Sequence, residues 1–271
     1  MNVKDLIKRS KIENPLRTEF QNVEISVILF ETEATGNIGS IARSMRNFAL
    51  KELILINPKC EITYETYGFA MHGKEILEKA KIISIDKENY KKNLEDFFQN
   101  YHLVVATSGR FANYKNLTRI PIFIDEFEFP AIPENEVFKM AILFGRESVG
   151  LTVEEIQFAD LLLTIPANPD YPILNLSHAA AVIFFTLYKK LHFIERGQTI
   201  PATQFQRNIL QQKIEAATRL ITDDQAIQEL YALSLKNAIG RSFLSRTEIK
   251  HLIRMFDKIS LHISKNKEKK A

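Results

Sequence analysis

The stretch that decides the fold runs from Ala141 to Ala181, AILFGRESVGLTVEEIQFADLLLTIPANPDYPILNLSHAAA. It reads as strand, tight loop, short helix, strand, long loop and helix. Ala141-Ile142-Leu143-Phe144 is an unbroken apolar run, the pattern of a strand buried on both faces, and Gly145 ends it. Thr152 followed by Glu155 is a capping-box pattern, so a helix starts there. That helix is short, because Leu161 to Ile165 is the next buried strand. Pro166, Pro169 and Pro172 then stiffen the chain and remove N–H donors, and Ser177 is read as the cap of an alanine-rich helix reaching about Leu191. Strands followed by such loops leave backbone groups exposed at the carboxyl ends of parallel strands, where open α/β sheets bind ligands.

The same alternation extends toward the amino terminus. Val23–Phe30 (VEISVILF), Glu52–Ile56 (ELILI), Lys81–Ile85 and Leu103–Thr107 read as strands. Ile38–Phe48, a segment within Tyr64–Ala80, and Asp86–Asn100 read as helices, with Asn37 or Ser40 capping the first. Residues 111–136 form a longer connection in which Ile122-Phe123-Ile124 is a short edge piece. Hairpin signals are few, so the chain predicts a mainly parallel α/β sheet with helices on both faces. After Lys190 the strand signals stop. Gln204–Ile221, Asp223–Asn237 and Thr247–Ser264 read as helices, and Ser245 with Glu248 makes a second capping box. Ile249, Leu252, Ile253, Phe256 and Ile259 share one face at helical spacing. The organisation predicted is an arm (1–22), a sheet domain (23–195), a linker (196–202), a small all-α domain (203–264) and a basic tail (265–271).

Composition narrows the class. The 271 residues are 45% hydrophobic and 25% charged, ordinary for a globular protein. No run of eighteen apolar residues is present, which predicts no membrane partner. The charged amino terminus carries no apolar signal-peptide region, and a cytoplasmic location is expected. The single cysteine, Cys60, excludes an internal disulfide and a Cys-rich metal site. The six histidines show no metal-ligand spacing, so no metal is expected, and they read as satisfied or surface residues. The net charge of +3 permits nucleic-acid binding without arguing for it.

Individual motifs are weak alone. Gly36-Asn37-Ile38-Gly39 opens a helix, but no Gly-Lys-Ser/Thr follows, so it is not a phosphate-binding loop. No Gly-x-Ser-x-Gly elbow is present. Arg43 and Arg46 lie three apart on the first helix, and Arg43, read as close to its start, opposes the helix dipole there. Arg246, Lys250, Arg254 and Lys258 recur every four residues on the last helix, a basic stripe suited to phosphates. A solvated helix face accounts for the arginine pair equally well and is the commoner explanation of such a stripe.

Three segments together resemble one family. Asn37-Ile38-Gly39-Ser40-Ile41-Ala42-Arg43, Phe144-Gly145-Arg146-Glu147-Ser148-Val149-Gly150-Leu151-Thr152, and Ile165-Pro166 through Leu174-Asn175-Leu176-Ser177 resemble, in order and spacing, the three motifs of the SPOUT RNA methyltransferases of the TrmH group. Thr107-Ser108-Gly109 and Pro166-Ala167-Asn168-Pro169-Asp170-Tyr171 look most like the TrmJ branch, and Gly240 to Ser245 is similar to that branch's ending. The resemblance implies a trefoil knot in the carboxyl-terminal part of the sheet domain, S-adenosyl-L-methionine as cofactor, a homodimer, and tRNA as partner. The implied reaction is methylation of a ribose 2′-hydroxyl of cytidine, and of uridine, at nucleotide 32 of the anticodon loop. Carried over residue by residue, Thr107, Ser108, Gly109, Gly145, Ile165, Pro172, Ile173 and Leu174 hold the cofactor. Arg43 is the catalytic arginine, with Asn37, Glu147 and Asn175 completing the site. RNA is met by Arg43, Arg46 and the stripe Arg246, Lys250, Arg254 and Lys258. One position departs from the pattern: Ile173 stands where the group usually has serine. That departure keeps open a tRNA-binding protein of this fold without activity, and a base methyltransferase of another branch remains a further alternative.

Overall fold

The structure is a computed structural model that describes residues 22–109, 121–191, 196–197 and 200–268. Most of the predicted arm, with Lys4, Lys8, Arg9 and Lys11, and the end of the basic tail lie outside the described residues, as do 110–120, 192–195 and 198–199. Seven strands form one parallel sheet in the order β3-β2-β1-β7-β4-β8-β5. They are β1 (Val23–Phe30), β2 (Glu52–Ile56), β3 (Lys81–Ile83), β4 (Leu103–Thr107), β5 (Pro121–Phe123), β7 (Phe138–Phe144) and β8 (Leu161–Thr164). Two-residue strands β6 (Ile132–Pro133) and β9 (Arg196–Gly197) pair with each other, and the second falls where a linker is predicted.

The central pair shows why the apolar runs read correctly. β1 and β7 pair in parallel from Val23↔Phe138 to Leu29↔Phe144. Side chains from alternate positions enter separate cores on the two faces. Val27, Leu29, Ile142 and Phe144 lie in one, with Ile28, Phe30, Ala141 and Leu143 in the other. Every one of these is buried, and each contributes roughly 1.5–3 kcal/mol if fully removed from water, alanine less.

Helices cover both faces. On the first lie α1 (Thr35–Asn47), through Ile38, Ile41 and Met45, then the short α2 (Tyr64–Ala70) and α3 (Lys74–Glu78). α4 (Tyr90–Phe98) places Leu94 and Phe98 on the opposite face. α5 (Val153–Ile156) is four residues long, and α6 (Leu176–Leu191) returns to the first face with Ala180, Phe184 and Leu187. α1 begins at Thr35, earlier than predicted, and has no side-chain cap; Asn37 and Ser40 lie inside it. Arg43 is therefore past the helix midpoint, and the dipole argument for it falls away. Ser177 is likewise not the cap of α6: Asn175 Oδ1 accepts from the Ser177 N–H and hydroxyl, at 2.9 and 2.7 Å.

The remaining helices are α7 (Gln204–Ile221), α8 (Gln225–Arg241) and α9 (Arg246–Glu268), around a small core of Leu210, Ile214, Ala232 and Ile249. They are fastened to the amino ends of β4 and β8. Arg207 donates to the His102 carbonyl at 2.6 Å and to Asp160 at 2.8 Å, and Asp160 accepts the Val104 N–H at 2.8 Å. Gly240 meets the same corner: a Cβ there would lie 2.6 Å from the Asp160 carbonyl oxygen, so α8 packs directly on backbone. His102 departs from its satisfied reading. It is buried and stacked on Phe138, its Nδ1 accepts from the Lys139 N–H, and its Nε2 has no hydrogen-bond partner. Burial lowers its pKa to about 4.

Candidate active site

The carboxyl ends of β4, β7 and β8 enclose a cavity of about 530 Å³. Its walls are the three loops picked out in the sequence: Thr107-Ser108-Gly109, the turn from Gly145 to Leu151, and Tyr171 to Leu176. All eight residues expected to hold a cofactor line it, together with Glu147 and Asn175. Leu163, Ile165, Ile173 and Leu174 supply an apolar slot, and the loops around them supply backbone donors and acceptors. A few polar groups over an apolar lining is the composition of a small-molecule site.

Each loop is held for a local reason. Thr107 donates its hydroxyl to the Leu143 carbonyl at 2.8 Å, and the Ser108 N–H reaches Leu163 O at 2.9 Å, tying β4 to both neighbours as it leaves the sheet. Arg146 and Gly150 exchange backbone hydrogen bonds of 3.2 and 2.9 Å and close the turn between them. Gly150 has φ +76°, and a Cβ on Gly145 would sit 2.1 Å from Gly150 C and Leu151 N, so each glycine is required. In the third loop, Asn168 accepts from the backbone of Asp170 and Tyr171, a turn that leaves Tyr171 81% exposed at the rim.

Beneath the turn lies a group that the sequence reading missed. Arg146 is only 8% exposed and grips the fully buried Glu155 with two bonds, of 2.8 and 2.9 Å. It also meets Glu31 at 2.8 Å, while Tyr90 donates to Glu155 at 2.6 Å. Glu155 carries the predicted capping box with Thr152 as well. Burial pushes the Glu155 carboxyl up, but the guanidinium, the phenol and the Thr152 N–H outweigh it, and the net shift is downward. The Arg146 hydrogen bond lowers Glu31 to about 2. Nothing local in the sequence pairs the arginine with Glu31 or Glu155; Glu155 is legible there only as the capping-box partner of Thr152.

Of the residues assigned to catalysis, the structure joins Asn37 and Glu147, at 2.8 Å. The same carboxylate accepts the Glu33 N–H at 2.9 Å and the Ala34 N–H at 3.3 Å, so a negative charge sits at the amino end of α1, where the helix dipole favours it. Arg43 and Arg46 are not among the cavity walls. Both are exposed on α1, and Arg46 borders a separate cavity of about 610 Å³ with Lys51, Lys79 and Glu75. The basic stripe is distant too. Arg246 is bound to Glu136, just ahead of β7, whereas the cavity lies past that strand's other end. Cys60 is half-buried against the Thr32 carbonyl, and burial raises its thiol pKa, so it is not poised as a nucleophile. Among the described residues no group of three His, Cys, Asp or Glu could hold a metal, and no helix is long and apolar enough to cross a membrane.

The chain is similar to known proteins. Residues 24–185 match the SpoU rRNA Methylase family. The chain is 33% identical over 237 residues to the tRNA (cytidine-2′-O-)-methyltransferase TrmJ of Methanocaldococcus jannaschii, covering 86% of this chain and 99% of that one. It is 32% identical to the protein of the same description from Sulfolobus acidocaldarius, with 89% and 95% covered. The crystal structure of TrmJ from Z. mobilis superposes with a TM-score of 0.61 at 21% identity, covering 86% of this chain and 98% of that chain, a likeness of fold.

Proposed function

The chain belongs to the SpoU rRNA methylase family, and from that premise we propose that it is an S-adenosyl-L-methionine-dependent tRNA 2′-O-ribose methyltransferase acting at nucleotide 32 of the anticodon loop, on cytidine and on uridine. The observation that carries the reading is the convergence of three loops, distant in sequence, on one cavity whose turn is tied through Glu147 to the helix bearing Arg43. The cavity fits the cofactor by its chemistry. Ile165, Ile173 and Leu174 offer an apolar surface for a purine, and Thr107 to Gly109, Gly145 and Pro172 bring backbone groups for its polar edge. When bound, S-adenosyl-L-methionine supplies an electrophilic methyl group on a sulfonium.

The protein's own residues do the remainder. An arginine side chain is a poor base, so the role of Arg43 is to anchor the phosphate beside the reacting ribose and to stabilise the developing alkoxide, while that phosphate or a water takes the hydroxyl proton. Asn37 and Glu147 fix the start of α1, and Asn175 fixes the start of α6. A 2′-hydroxyl substrate selects RNA over DNA by its chemistry.

The proposal includes a homodimer in the cytoplasm and a trefoil knot. Exposed apolar side chains on α2 and α6, Phe69, Val182 and Phe185, support the dimer, since they lie on the helices that flank α1. The knot is supported by the insertion of β8 between β4 and β5 before α6 returns to pack on α1. An experimental map traced through residues 110–120 and 192–199 tests the threading, and an open path there would remove it. Incubation with labelled cofactor and unmodified tRNA transcripts, followed by nuclease digestion and mass spectrometry, tests the reaction. Methyl on the ribose of nucleotide 32 is expected; methyl on a base, or no transfer, would reject it. Ile173, half-exposed on the cavity wall where the group usually carries serine, favours a second reading: a tRNA-binding protein without activity. Cofactor binding measured by calorimetry separates the two.

A further inference from the structure

The turn Gly145–Gly150 and the loop Glu31–Ala34 hold each other by reciprocal carboxylates. Glu147 reaches out of the turn and accepts from Glu33 N–H, Ala34 N–H and Asn37. Glu33 reaches back and accepts the Ser148 hydroxyl at 2.9 Å and the Ser148 N–H at 3.2 Å. Below them the Arg146–Glu31 pair joins the same two segments. One partner lines the cavity; the other leads directly into α1, which carries Arg43 and Arg46.

The links differ in strength. Arg146 is buried, but Ser148 and Val149 at the turn's tip are exposed. Surface hydrogen bonds of this kind contribute little each, so the tip opens at small cost and is sensitive to whatever fills the cavity behind it. We propose that Glu33 and Ser148 are positioning residues forming a latch that couples occupancy of the cavity to the grip of α1 on RNA. Filling the cavity holds the turn, the turn holds the loop, and the loop holds the first turn of α1. By linkage the effect runs equally in both directions. The inference rests on the methyltransferase reading given above.

The test is tRNA affinity of the full-length protein, by fluorescence anisotropy, with and without saturating S-adenosylhomocysteine, alongside calorimetry of that ligand alone. For the wild type the ligand tightens tRNA binding by about 5- to 20-fold. Glu33→Ala and Ser148→Ala each cut that factor to about 2 or less, and the double variant cuts it no further, because the two act as one unit. Ser148→Thr, which keeps the hydroxyl, retains the coupling. Lys59→Gln, which removes the other side-chain contact of Glu33, also retains it. Melting temperature and affinity for the ligand alone stay near wild type in Glu33→Ala, whose residue does not line the cavity, which separates a latch from a general loosening. Intact coupling in Glu33→Ala, or additive losses in the double variant, would overturn the latch. A wild type that binds both ligands independently would overturn it and leave the methyltransferase reading standing. A wild type that fails to bind S-adenosylhomocysteine would overturn both.

Discussion

Arg146 carries a charge into a nearly dry site, and its value there depends on its partners. Replacing it with methionine leaves Glu155 buried without its countercharge, a change costing roughly 3–5 kcal/mol. Urea denaturation of Arg146→Met measures this, and a loss below about 1 kcal/mol would mean that Tyr90 and the Thr152 N–H suffice for Glu155. Glu31 gives the same network a pH signature. Its carboxyl titrates at about 2 in the folded chain against an ordinary 4.5. A depressed folded pKa gives stabilisation that is complete above the unfolded value and is lost as pH falls through the folded one. The urea midpoints of wild type and Glu31→Gln should therefore differ near neutral pH and converge between about pH 4.5 and 2; a gap that stays constant across that window would exclude the mechanism. Arg43 lies on the exposed face of α1. Arg43→Ala should lower kcat by about 100-fold or more while cofactor affinity stays within a few fold. An equal loss of cofactor affinity would show that Arg43 serves the cavity rather than the RNA.

At the scale of elements, periodicity was most informative where burial decides the pattern. β1, β2, β4 and α7 have the predicted limits because apolar runs and helical faces end where burial ends. Tertiary contacts set the other boundaries. α1 starts at Thr35 because the Glu147 carboxylate, more than a hundred residues away, sits against the N–H groups at its entry, and no local cap announces that. α9 runs beyond its predicted end to Glu268. The candidate site divides in the same manner. Its cavity walls were legible as Gly- and Pro-marked loops after buried strands, whereas the Arg146 network was not, because its members are spaced by the fold alone. The basic stripe is shorter than the sequence suggests, since Arg246 is bound to Glu136, leaving Lys250, Arg254 and Lys258 exposed on α9. Deleting α7 to α9 is a poor test of the stripe, for it would also remove Arg207 from Asp160 and uncover the base of the sheet. Reversing the three charges to glutamate avoids that. It should weaken tRNA binding and flatten its salt dependence by about 2–3 in slope, with cofactor affinity unaltered. An unchanged slope would mean that no phosphate meets this helix.

For the whole molecule, the arrangement poses a problem of reach. The cavity opens at the carboxyl ends of the strands, the stripe begins near their amino ends, and the length of β7 between them spans roughly 20 Å. Arg43 stands outside the cavity of its own chain, on a helix flanked by exposed apolar side chains. A second copy docked on that face would resolve the position of Arg43 if each cavity were served by the arginine of the other subunit. Mixing two inactive variants decides it. Arg43→Ala keeps an intact cavity, and Ile173→Arg blocks the cavity from its half-exposed rim while keeping Arg43. If the arginine acts across the interface, every mixed dimer contains one complete site, and random exchange at equal concentrations restores about a quarter of wild-type activity. If it acts within its own chain, neither subunit of a mixed dimer is complete and activity stays at the level of the separate variants. Subunit exchange must be verified by mass, because dimers that never exchange would give the second result without bearing on the geometry. With exchange shown and no recovery, Arg43 would have to reach its own cavity by a movement of α1, and the Asn37–Glu147 bond at the start of that helix is the contact such a movement would have to break.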